Sequence, residues 1–268
     1  MNTRPAKKVA RDTRSSDALH FLARAGFAVN GLVHIMIGLI AFGVATGTGG
    51  QADQSGALSQ IAANPGGTAI LWVAAVALAA LGFWLILGAF LLPSSDPKKK
   101  VVHFLSEAGK GVAYLAVAGT AVTFALGGSS SSERDVDTLS AQLIAAPGGI
   151  LVLWAIALVV FGVGVYFVTK GVKRRFIDDI DLPSGKAGKP IVILGVVGYV
   201  AKGIALAFMG ILLGIAAFRT DPSQAAGLDG SLKTLAELPL GQVILGIIGL
   251  GFMAYGVYCF VRARIARL

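Results

Sequence analysis

Residues 103–119 read HFLSEAGKGVAYLAVAG, and this stretch decides the fold. His103, Glu107, Lys110 and Tyr114 follow one another at steps of four, three and four, which sets them on one face of a helix. The residues between them are mostly apolar or small. A polar stripe along a helix otherwise suited to lipid must face something other than lipid.

The same helix occurs three times. Gly26, Gly31 and Gly38 repeat as Gly198, Gly203 and Gly210 with identical spacing, and as Ser106, Gly111 and Ala118 in the middle of the chain. The residue before the central glycine is Asn30, Lys110 and Lys202 in turn. Small residues at such steps let helix backbones approach closely in lipid, where packing holds helices together. Each copy runs into a polar loop, at 47–64, 128–146 and 219–238. Each loop ends in a short segment of helical apolar spacing, with Asp137 and Ser231 as expected N-caps for the second and third. Pro65-Gly66-Gly67, Pro147-Gly148-Gly149 and Pro239-Leu240-Gly241 stop these segments. A second long apolar stretch follows each time and ends in Gly82-Phe83-Trp84, Gly164-Val165-Tyr166 or Gly256-Val257-Tyr258.

Of 268 residues, 55% are hydrophobic and 14% charged, with 36 glycines, where a soluble domain would carry about 25% charged residues. Six segments suffice to cross a bilayer, which needs about 20 residues: 25–45, 68–92, 101–126, 149–169, 191–218 and 241–261. The third spans only if its polar turns are included. Strand alternation is absent. The expected fold is all-α: a polytopic membrane protein of six transmembrane helices, arranged as three tandem hairpins about a pseudo-threefold axis, with short interfacial helices in the outer loops. The hairpins cover 25–92, 101–169 and 191–261, between a basic tail at 1–24 and a basic C-terminus at 262–268. The first dozen residues read as disordered, and an interfacial helix is expected to begin after Ser16-Asp17.

Eighteen of the 23 Lys and Arg residues lie in the two termini and the even loops, which predicts cytoplasmic termini in a bacterial cell membrane. A signal-peptide reading of the first apolar run, cleaved near Gly43-Val44-Ala45, fails because cleavage would break the threefold pattern. Cys259 is the single cysteine, so neither an intrachain disulfide nor a cysteine-cluster metal site is available.

The glycine steps, the Pro-Gly after each outer loop and the Gly-x-Tyr near the ends of the second and third units resemble a bacterial integral-membrane family, domain-of-unknown-function family 1206. The resemblance covers residues 24–264. It implies three tandem two-helix units and a bacterial cell membrane, and it implies no activity.

The candidate site gathers the polar residues of the cytoplasmic half: Asn30, His34, Glu107, Lys110, Tyr114, Tyr166, Lys202 and Tyr258. Two readings of them compete. The lysines snorkel to headgroups while the tyrosines form an interfacial belt, or Lys110 and Lys202 turn inward to pair with Glu107 and the tyrosine hydroxyls. Lys173-Arg174-Arg175 followed by Asp178, Asp179 and Asp181 reads first as a self-paired interfacial segment, with a partner contact as the alternative. Residues 185–190, GKAGKP, lack the spacing of a phosphate loop. With three histidines and no redox, nucleotide or Ser/His/Asp constellation, no metal, cofactor or enzymatic activity is expected. Expected partners are the lipid bilayer, with anionic lipids at the basic loops, and a membrane protein; no nucleic acid is expected. The sequence leaves two functions open: a non-enzymatic accessory or assembly component, and a small transporter or channel taking an anion or an anionic lipid headgroup.

Overall fold

The computed structural model describes residues 17–91, 97–183 and 185–267. Most of the basic tail therefore lies outside the described residues, as does the expectation of disorder there. Nine α-helices are found among the described residues: α1 (Asp17–Ala45), α2 (Gln54–Ala62), α3 (Gly67–Leu91), α4 (Pro97–Ala125), α5 (Ser132–Ala145), α6 (Gly149–Val172), α7 (Gly188–Arg219), α8 (Leu228–Glu237) and α9 (Gly241–Ile265). Six of them, α1, α3, α4, α6, α7 and α9, are long and apolar enough to cross a membrane. The protein is a polytopic helical membrane protein built from three α-α-α units. Among the described residues the segment after Ser16-Asp17 is not a separate interfacial helix but the first turns of α1, which runs unbroken from Asp17 to Ala45.

The units close into a ring, and the shared glycines are what close it. The last helix of each unit packs on the first helix of the next: α3 on α4, α6 on α7, and α9 back on α1. Each contact crosses at equivalent glycines. A Cβ on Gly82 would sit 2.8 Å from the Gly111 carbonyl oxygen, and one on Gly111 2.7 Å from that of Gly82. Gly164 and Gly203 stand in the same mutual relation at 2.7 Å, and Gly256 and Gly31 at 2.5 and 2.7 Å. Three glycine pairs thus bring three pairs of backbones together where any side chain would hold them apart.

Within a unit the two spans also touch in the first and third copies, α1 with α3 and α7 with α9. In the middle copy α4 and α6 hardly meet. The ring is therefore splayed at one place.

The end of the bundle that carries α2, α5 and α8 is filled with apolar side chains. Leu58 and Ile61 of α2 and Leu232 and Leu235 of α8 join Ile37, Ala121, Phe124 and Phe252 in the main core. α5 lies outside that core, with Ser140 its one buried residue. A chain of hydrogen bonds ties the three units together here. Glu133 Oε2 accepts the N–H groups of Gly227 and Gly230 at 3.0 and 3.1 Å, capping α8. Asp229 Oδ1 accepts the Ala52 N–H at 2.7 Å. The Ser55 and Ser132 hydroxyls meet at 2.8 Å.

The N-caps differ from those expected from the sequence. Asp53 caps α2 through the Gly56 N–H, and Ser131 caps α5 through the Arg134 N–H. Asp137 falls inside α5, because that helix begins nearly two turns earlier, after Ser131. Ser231 falls inside α8, where its hydroxyl donates to the Gly227 carbonyl at 2.6 Å. Gly227 is the cap, and its buried N–H is served by Glu133 from another unit.

The turn into α3, α6 and α9 is also threefold. Gly66 and Gly148 have φ of 78° and 74°, and the third copy places Leu240 there at φ 62°. A side chain in the left-handed region costs about 1–2 kcal/mol, which glycine avoids. Leu240 is also largely exposed, so little packing is lost on its removal. Leu240→Gly is expected to stabilise the protein by about 1 kcal/mol, read as a higher unfolding midpoint in mild detergent.

Candidate functional site

The opposite end of the bundle holds the polar residues, and three helices bring most of them together. Lys202 of α7 projects toward α1 and donates from Nζ to His34 Nε2 at 3.1 Å. His34 donates from Nδ1 to the Asn30 carbonyl at 2.8 Å, since the nitrogen that accepts from an ammonium carries no proton. Asn30 Nδ2 donates in turn to Cys259 Sγ of α9 at 3.3 Å. The Lys202 ammonium also lies over the rings of Tyr255, at 4.7 Å, and Phe167, at 5.2 Å. Among the described residues no carboxylate stands within ion-pair distance of Lys202.

A layer of aromatic rings separates this group from a second one at the helix ends. Phe176, from the turn after α6, stacks on Tyr199 and meets Tyr258 edge-on. Below it, Asp179 binds Lys170 at 2.6 Å and Arg262 at 3.7 Å. Arg262 reaches back to the Tyr199 hydroxyl at 3.5 Å and covers the Phe27 ring at 4.4 Å. The residues after α9 strap the turn in place: Asp181 N–H donates to the Ile265 carbonyl at 2.8 Å, and Arg267 Nε to Asp181 at 2.7 Å. The aspartates after Lys173-Arg174-Arg175 thus pair with Lys170, Arg262 and Arg267. The self-paired segment expected from the sequence is replaced by a clasp onto α9, because Arg174 turns left-handed at φ 55° and Lys173, Arg174 and Arg175 stay exposed.

The other candidates divide. Lys110 binds Glu107 on its own helix at 2.6 Å, and both are half-buried. Neither Lys110 nor Lys202 is held by a tyrosine hydroxyl: Lys202 takes the faces of the rings instead. Tyr114 packs beside Phe27, Leu81 and Trp84 on the inner side of α4. Tyr258 is fully buried under Phe176. Tyr166 points away from the group and remains 41% exposed on α6. The side chain of His103 lies outside the described residues.

Three consecutive stretches, residues 25–91, 106–174 and 197–266, match Domain of Unknown Function (DUF1206). The chain belongs to the DUF1206 family. A relative, the uncharacterized protein YxxB of Bacillus subtilis (strain 168), is 30% identical over 252 residues, spanning 89% of this chain and 88% of its own length. No solved structure matches the chain. The three DUF1206 stretches coincide with the three units of the ring. The clasp residue Asp179 falls between the second and third matches, whereas Lys170, Lys202 and Arg262 lie inside them.

Several members of this site were missed in the sequence: Lys170, Asp179, Tyr255, Cys259 and Arg262. Arg262 and Lys170 were counted as topology signals, the usual meaning of a cation at a helix end. Tyr255 and Cys259 do carry a signal, being one and two turns from Gly251 on one face of α9.

Proposed function

We propose that this protein is a non-enzymatic component of the bacterial cell membrane that holds an anionic group, an anion or the headgroup of an anionic lipid, at its basic end. The charge distribution of the loops favours a cytosolic location for that end and for both termini. The observation that carries the reading is Lys202. An ammonium group inside a helical bundle is costly unless paired, and the compensation it has is one imidazole lone pair and two ring faces. Beyond the aromatic layer Lys170 and Arg262 share Asp179, and Lys110 holds Glu107, so that with Lys202 this end carries more cations than carboxylates. An anion approaching this cluster would supply the missing partner. Passage through the bundle finds no such support, since the far end is packed with Ile37, Leu58, Phe124, Leu232 and Phe252. A component that binds such a group without moving or transforming it suits an accessory role in a larger membrane assembly.

The test is titration of glycerol phosphate, a soluble headgroup, into the protein in phosphatidylcholine nanodiscs. Lys202→Met, which keeps the length of the side chain and removes its charge, is expected to weaken binding about tenfold or more, as losing a hydrogen bond to a charged group costs about 1.5–3 kcal/mol. Equal affinity in wild type and variant would overturn the reading.

A further inference from the structure

The splayed middle hairpin has two internal references, because the first and third units show the same pair of helices in contact. On the second helix of each unit, Ala77 and Gly251 are buried, and so are Leu81 at 0% and Tyr255 at 4% exposure. The equivalent residues of α6 are Val159, 65% exposed, and Val163, 40% exposed. On the first helix, Val33 and Ala205 are buried, and their counterpart Ala113 of α4 is exposed. A Cβ on Gly109 would meet nothing within 4 Å, where its counterpart Ala201 packs against Gly251. The gap is thus an apolar slot open to the side of the bundle, running along α4 and α6.

Its basic end lies beside cations at the end of α6. Lys173, Arg174 and Arg175 follow the last turn of α6, exposed and without a carboxylate partner among the described residues. Lys110 sits on α4, half-buried against Glu107. A slot between two membrane helices is filled by whatever the bilayer supplies, and a ring of Lys and Arg at headgroup depth selects among lipids by charge. We infer that the α4–α6 gap seats one anionic phospholipid, with an acyl chain between Ala113 and Val159 and its phosphate among Lys110 and Lys173–Arg175. The inference rests on the reading above for the anionic chemistry, and adds the carrier, a lipid, and its side access to the basic cluster.

A phosphatidylglycerol carrying a diazirine in its acyl chain, diluted into phosphatidylcholine nanodiscs, tests it. Adducts are expected on α4 near Gly109–Ala113 and on α6 near Val159–Val163, several times more than with the matching phosphatidylcholine probe, since each cation near the surface is worth roughly fivefold. Gly109→Phe fills the slot without a clash and should abolish these adducts at an unchanged unfolding midpoint. Gly119→Phe, on the outer face where a Cβ also meets nothing, should keep them. Equal labelling by the two probes, persistence in Gly109→Phe, or crosslinking of α4 and α6 to a second copy of the chain or to another protein overturns the inference. Failure of glycerol phosphate to bind wild type while selective labelling persists removes the Lys202 reading and leaves the slot. Glycerol phosphate binding without selective labelling removes the slot and leaves Lys202.

Discussion

Gly164→Leu is expected to detach α6 from the ring. A Cβ at this position would overlap the Ala207 backbone nitrogen and lie 2.7 Å from the Gly203 carbonyl oxygen. Neither atom can give way, since both belong to the α7 backbone. α7 is also the one span on which α6 packs closely, so the helix has nowhere else to bury its face. Overpacking a tight contact costs about 1–3 kcal/mol, and here the backbones themselves must separate, so the loss should reach at least about 3 kcal/mol. The measurement is the midpoint of reversible unfolding in mixed detergent micelles, alongside Gly162→Leu. Gly162 lies half a turn away with open space around it and should tolerate the same side chain at a cost within about 0.5 kcal/mol. Equal midpoints for the two variants would show that the glycine crossings do not hold the ring.

Asp179→Ala carries the second large effect. It leaves Lys170, whose side chain is 7% exposed, and Arg262 without their shared carboxylate. Stripping one partner from a buried pair costs about 3–5 kcal/mol, chiefly through the charge left behind. Adding Lys170→Met to Asp179→Ala should recover a large part of the loss, because the stranded ammonium is then gone. If the double variant is no more stable than the single, the clasp does not work by charge pairing.

The pH dependence of this clasp has a definite sign. Burial acts to raise the Asp179 carboxyl, and Arg262 and Lys170 together outweigh it, so the group is held below the usual carboxylate range. Its contribution to stability is complete above the ordinary value for Asp and disappears as pH falls through the lowered one. Asp53 and Glu133, at the other end, run the opposite way: burial raises both above their usual values. Their contribution is complete below the ordinary carboxylate range and is lost as pH rises through the raised value. Wild type should therefore keep its unfolding midpoint on mild acidification and lose it only in strong acid. Asp179→Ala should lack that final acid loss, a difference visible in a midpoint-against-pH series.

Most of the fold was legible because it is written three times. The glycine steps of 26–38 and 198–210 repeat without a shift, and the Pro-Gly stops fix where each second span begins. What those glycines touch was not legible: Gly82 reads as a feature of its own unit, yet it meets Gly111 of the next. The splay was hidden for a similar reason. α4 and α6 carry a closely related pattern to their counterparts, and Val159 and Val163 stand where α9 has Gly251 and Tyr255. At the site, Lys202, His34 and Asn30 were singled out from their level in the helices, and they do meet. The clasp was missed because Asp179 and Arg262 are distant in sequence and Asp179 closely follows Lys173-Arg174-Arg175. Glu133 was missed because its task, capping α8, concerns backbone groups that no residue pattern displays.

The closure of the ring through α9 and α1 has a consequence for biosynthesis. The first hairpin leaves the ribosome long before its main neighbour exists, and Ala52 must wait for Asp229, 177 residues further on. Until then its glycine-lined groove, with His34 and Asn30 on it, faces the translocon or bare lipid. An insertase or chaperone that shields α1 would have its work at that stage, and a nascent chain arrested before α9 should be far more open to membrane proteases than one released a few residues later.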